Sequence, residues 1–167
     1  MQKSPMLSAS GLTRLDAITV LMVEDDPDDV YLTQEALADS KLRINLHVVN
    51  DGVAALAYLR AATGDAEHRR PDLILLDLNL PLMDGREVLA EVREDPAFTD
   101  IPIVILTTSK AEEDIAASYR QHANCYISKP VGIEQFRAVV AAIQSFWFTV
   151  VQLPPDSPVG ALPGPAT

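Results

Sequence analysis

Cysteine is nearly missing from this chain: Cys125 is the only one among 167 residues. No intrachain disulfide can form, so packing alone must hold the fold, and a reducing compartment such as the cytoplasm is expected. Basic residues are scarce too, with 13 Lys and Arg against 24 Asp and Glu and a formal net charge of −11. That deficit argues against a protein held on nucleic-acid phosphates, which needs a basic surface. It leaves room for an acidic site that takes a cation. No apolar run reaches the ~18–20 residues needed to span a bilayer, and the first residues lack the apolar stretch of a secretory leader. His47, His68 and His122 are scattered, without metal-ligand spacing. What the chain does have is apolar content, 48%, enough to bury one core at a length that suits one domain.

Two stretches of low order frame that domain. Residues 1–17 are rich in Ser and small side chains and show no period, and read as a flexible tail. Residues 149–167 form a Pro-rich extension; Pro154, Pro155, Pro158, Pro163 and Pro165 exclude a helix or a central strand there. Between them, residues 18–148 alternate short apolar runs with helical patterns. Ile18–Val23, Leu73–Leu76 and Ile103–Leu106 read as strands covered on both faces, the mark of a parallel sheet. Ile44–Val49 and Cys125–Ile127 are weaker strands. Helices are predicted from Asp28 to about Ala38, Val53 to about Ala62, Gly85 to Arg93, Ala111 to Gln121 and Ile133 to Phe148. Five strands and five helices in βαβ order predict an α/β, doubly wound, flavodoxin-like sheet of order 2-1-3-4-5.

Such a sheet binds ligands at the carboxyl ends of strands 1 and 3. Glu24-Asp25-Asp26 and Asp77 stand there. Like charges about 4 Å apart repel by roughly 4 kcal/mol at an effective dielectric of ~20. A fold keeps such a cluster by protonating it or by binding a cation, and hard oxygen ligands with open water positions suit Mg²⁺. Thr107-Thr108 closes strand 4 and Lys129-Pro130 closes strand 5. One sheet edge thus gathers acids, a hydroxyl and an ammonium. The last two can hold phosphoryl oxygens by hydrogen bond and by charge.

These residues resemble a response regulator receiver domain. The matching stretches are VLMVEDDPDD (20–29), LILLDLNLPLMDG (73–85), VILTTS (104–109) and YISKP (126–130), with 30 residues from Asp77 to Thr107 and 22 from Thr107 to Lys129. A narrower resemblance is to the small response regulators paired with bacterial and cyanobacterial phytochromes, carried by DPAFTDIPIVILTTS (95–109), NCYISKPV (124–131) and FWFTVVQLPP (146–155). The resemblance implies that Asp77 accepts a phosphoryl group from a histidine kinase, with phytochrome the kinase the narrower match suggests. It implies Mg²⁺ held by Glu24, Asp25, Asp77 and the backbone carbonyl of Asn79. It gives phosphoryl binding to Thr107 and Lys129, and switching to Thr107 and the aromatic Tyr126. It also implies a cis Lys129–Pro130 bond. Glu24 departs from the family's commoner Asp, and Thr108 is bulkier than usual. Asn79 and Ser109, each two residues past a key position, are expected to tune dephosphorylation.

The last predicted helix ends more apolar than a surface helix requires. Phe146, Trp147, Phe148, Val150, Val151 and Leu153 either fold back on their own domain or form a homodimer interface, as the narrower resemblance suggests. About 19 residues after the domain leave no room for a DNA-binding output, so output through protein contacts or phosphorelay is expected, with no direct nucleic-acid or membrane partner. Two other readings stay open: a Mg²⁺-dependent phosphohydrolase working through an aspartyl phosphate, and a dimeric adaptor independent of phosphorylation.

Overall fold

The computed structural model describes residues 18–40, 42–62 and 69–150. The elements are β1 (Ile18–Val23), α1 (Pro27–Ala38), β2 (Ile44–Val49), α2 (Gly52–Ala61), β3 (Leu73–Leu76), α3 (Gly85–Glu94), β4 (Ile103–Thr107), α4 (Glu112–Arg120), β5 (Cys125–Ser128) and α5 (Ile133–Ser145). A π-turn, Phe146–Val150, follows α5. The five strands are parallel in the order β2-β1-β3-β4-β5. This is the flavodoxin-like topology that the alternation predicts.

Three helices start on an aspartate cap. The Asp26, Asp51 and Asp84 side chains accept from the amides of Asp28, Ala54 and Arg86, satisfying donors that a helix start leaves free. All residues of β1, β3 and β4 are buried, because helices cover both faces of the sheet. On one face Leu21, Leu76 and Ile105 meet Leu56 and Leu59 of α2 and Val88 and Leu89 of α3. On the other, Val20, Met22 and Leu75 pack with Ile143 of α5, while Leu37 of α1 meets Phe136 and Val140. At the pole opposite the carboxyl strand ends, Arg93 donates to the carbonyls of His122, Thr99 and Ile101 and to Asn124 Oδ1. It clips the end of α3 to the loops that lead into β4 and β5. Among the described residues no helix is long and apolar enough to cross a membrane.

Two expectations change. The Lys129–Pro130 bond is trans, since no cis bond occurs among the described residues. Trans is the lower-energy isomer of an X–Pro bond by about 0.5–1 kcal/mol. The contacts that fix Lys129 lie on its own side of that bond and select neither isomer: its amide donates to Thr107 O at 2.7 Å. The last α-helix also stops at Ser145, not Phe148. The π-turn that replaces its end carries Trp147 into the core, 9% exposed, beside Ile18, Val20 and Leu73. Phe146, edge-on to that indole, stays 53% exposed. Trp147 therefore belongs to its own domain. Phe148 is half-buried against the same cluster, while Val151 and Leu153 lie outside the described residues.

Trp147→Ala should destabilise the domain by about 3–5 kcal/mol, the range for truncating a buried aromatic. Urea denaturation followed by circular dichroism would measure it; a midpoint equal to wild type would place the indole outside the core.

Candidate functional site

Strand register builds the site. Val23 pairs with Leu76, so the next residues, Glu24 and Asp77, leave the sheet side by side. The ladder runs one step further on each: Glu24 N donates to Val49 O at 3.0 Å and Asp77 N to Val23 O at 3.1 Å. Thr107 pairs with Ser128, which brings Lys129 to the same edge. Gly85 is required here. Its amide bonds to Leu78 O at 2.9 Å, and a Cβ on it would overlap the Asp77 carbonyl. Only a glycine lets the start of α3 come this close to the end of β3.

The cluster is buried: Glu24 is 2% exposed, Asp77 and Lys129 6%, Thr107 0%. The Lys129 ammonium is shared by three carboxylates, Glu24 Oε2 at 2.7 Å, Asp29 Oδ2 at 2.8 Å and Asp77 Oδ2 at 2.9 Å. Thr107 Oγ1 donates to Asp77 Oδ1 at 2.6 Å, and the Asn79 amide reaches the same oxygen at 3.2 Å. The Asp26 amide donates to Glu24 Oε1 at 3.2 Å. Asp25 is exposed at the mouth, and Glu24, Asp25 and Asp77 each offer a carboxylate oxygen within 4.8 Å of the others. Hard oxygens at that spacing fit a divalent cation such as Mg²⁺.

Electrostatics agree with a cluster poised for a cation. Burial pushes the Glu24 carboxyl up to about 8, although Lys129 pulls it back. Burial also works to raise Asp77, yet donation from Thr107 and Lys129 holds its carboxyl below the ordinary range. Burial opposes the Lys129 charge, but bonds to Asp29, Glu24 and Asp77 raise its pKa overall. Asp77 is thus the ionised member of the pair and Glu24 the one that carries the cost of burial.

The structure therefore brings together Glu24, Asp25, Asp77, Thr107 and Lys129, with Asn79 beside them. Ser109 and Tyr126 stand one step away. Tyr126 OH donates to Ser109 O at 2.9 Å, and Ser109 Oγ donates to Asp114 Oδ2 at 2.5 Å. Asp114 also receives Arg86 Nε at 2.9 Å, and Arg86 bridges back to Asp84. Neither Asp29 nor the Arg86–Asp114 pair stands out in the sequence pattern. Asp29 lies inside the acidic stretch 20–29, in the first turn of α1, where helix phase could have suggested it. Arg86 and Asp114 are 28 residues apart on different helices and carry no local signal.

Comparison with known proteins matches this architecture. Residues 20–141 match the response regulator receiver domain family. The response regulator Rcp1 of Synechocystis is 46% identical over 135 residues, 81% of this chain and 92% of that protein. The crystal structure of the phosphorylated cyanobacterial phytochrome response regulator RcpA superposes with a TM-score of 0.79 at 47% identity, over 83% of this chain and 99% of that one. The Mn²⁺-bound form of Rcp1 gives a TM-score of 0.77 at 45% identity, with the same coverage. With a family match over most of the chain and relatives of this identity covered almost end to end, the chain belongs to the response regulator receiver family.

Proposed function

We propose that this receiver accepts a phosphoryl group on Asp77 from a histidine kinase, of phytochrome type by its relatives, and signals in the cytoplasm through protein contacts. One observation carries the reading. Among the described residues Asp77 is the one buried carboxylate held at once by a hydroxyl, by an ammonium and beside two further acids. In the proposed transfer Asp77 attacks phosphorus, the bond from phosphorus to the kinase imidazole breaks, and the imidazole leaves. Phosphoryl transfer needs positioning and charge neutralisation more than covalent chemistry from the protein. Lys129 supplies a fixed positive charge and Thr107 a donor. Glu24, Asp25, Asp77 and the Asn79 carbonyl would hold Mg²⁺, which when bound neutralises charge on the transferring oxygens.

Switching follows from the Thr107 bond. When its hydroxyl turns from Asp77 Oδ1 to a phosphoryl oxygen, the loop through Ser109 is drawn with it. The Tyr126 bond to Ser109 O then changes, which couples the phosphoryl site to the β5 edge. Asn79 and Ser109 border the path of an attacking water and set how long the phosphoryl group survives. Phe146, with Phe148 and the residues after it through Val150, Val151 and Leu153, forms a homodimer contact; the exposed ring at position 146 favours it.

Three outcomes are expected. Acetyl phosphate with Mg²⁺ should label the wild-type chain and leave Asp77→Asn unlabelled, and Asn79→Glu or Ser109→Lys should change the lifetime of the label. Equal labelling of Asp77→Asn would remove the phosphoacceptor assignment. Mg²⁺ affinity, measured by calorimetry, should climb as pH rises toward about 8 and level off above it. Glu24 must lose its proton to act as an anionic ligand, and its carboxyl is pushed up to about 8. A flat profile from pH 6 to 8.5 would show that Glu24 is already ionised at pH 6 or takes no part in binding. Phe146→Asp should sediment as a monomer at concentrations where wild type is a dimer. That variant is a cleaner probe than truncation after Ser145, which would also take Trp147 from the core.

A further inference from the structure

Lys129 has three protons on its ammonium and three carboxylate partners, one on each of three elements: Glu24 after β1, Asp77 after β3 and Asp29 in α1. The transfer proposed above draws on two of these. One Asp77 oxygen becomes the bridging oxygen of an acyl phosphate, and Glu24 would turn an oxygen to the cation. Asp29 lies outside the set Glu24, Asp25 and Asp77 whose oxygens converge on a cation position. Its bond to Lys129 is the one that the reaction leaves in place.

Asp29 is itself held. Its carbonyl accepts from Thr33 Oγ1 at 2.8 Å, and Thr33 is fully buried on the inner face of α1. The turn that carries it begins at Asp26, whose amide is tied to Glu24. The lysine, by contrast, carries its charge on a flexible four-carbon stem. The backbone that carries Asp29 is held in the first turn of α1 while the ammonium rides on a long stem, so the acid is the anchor and the lysine the moving part.

We infer that Asp29 is a positioning residue: it fixes the Lys129 ammonium toward the incoming phosphoryl group while Glu24 and Asp77 change partners. The inference rests on the receiver reading of Asp77. It assigns Asp29 no contact with the phosphoryl group or the metal, only with Lys129.

The test is a double-mutant cycle in the full chain, read as the rate of phosphorylation by acetyl phosphate at saturating Mg²⁺. Asp29→Ala should slow the rate about tenfold, the low end for removing a group that orients a ligand. Asp29→Glu should restore most of it. In a Lys129→Ala background Asp29→Ala should have no further effect, because both changes remove the same interaction. Mg²⁺ affinity by calorimetry should hold in Asp29→Ala and fall in Asp25→Asn. If Asp29→Ala does not fold by circular dichroism, Asp29→Asn takes its place, with the charge removed and the shape kept. A rate equal to wild type overturns the inference. So does an equal slowing with and without Lys129, or a Mg²⁺ affinity that falls as far as in Asp25→Asn. Failure of the wild-type chain to be labelled at all would instead overturn the receiver reading.

Discussion

A single buried cation organises the carboxyl edge of this sheet. Four strand ends and one helix turn converge on Lys129, and no buried side-chain nitrogen or oxygen among the described residues lacks a partner. Taking charges out of water is expensive, and breaking a buried ion cluster by removing one member costs about 3–5 kcal/mol. The arrangement holds only because each charge is answered: the ammonium by three acids, Asp77 by a hydroxyl and an amide as well. Glu24 is answered least, and its raised pKa is the trace of that shortfall. Glu24, Asp25 and Asp77 also converge oxygens within 4.8 Å of one another, a spacing that suits a divalent cation.

Strand register is what turns composition into this geometry. Glu24 and Asp77 are 53 residues apart in sequence and adjacent in space because Val23 pairs with Leu76. A shift of one residue along either strand would turn the acid into the core and an apolar side chain into the site. Register is protected by burial: β1, β3 and β4 have apolar side chains on both faces, so every slip exposes some and buries the acids.

That double burial also explains what could be read from sequence. β1, β3 and β4 appear as uninterrupted apolar runs, and their ends point to the acids and to Thr107 before any fold is known. β2 and β5 flank the sheet, are only partly buried and give weaker patterns. The carboxyl end of α5 differs from the pattern because an aromatic run continues the apolar period, while the π-turn that re-phases it leaves no local mark; its start at Ile133 agrees. Partners of Lys129 were legible where they sat at strand ends. Asp29 was not, because its reach to Lys129 depends on how α1 packs beside α5 and β2. The trans Lys129–Pro130 bond contradicts a family expectation that no residue pattern on the chain itself supports.

Trp147 packs with Ile18, Val20 and Leu73, in the amino-terminal halves of β1 and β3. Glu24 and Asp77 leave the carboxyl ends of those same two strands. The pair of strands is thus gripped at both ends, by an indole at one pole and an ammonium at the other. Mechanically they act as a short beam. Whatever changes the seat of Trp147 therefore changes the packing of the same two strands that end in the acids.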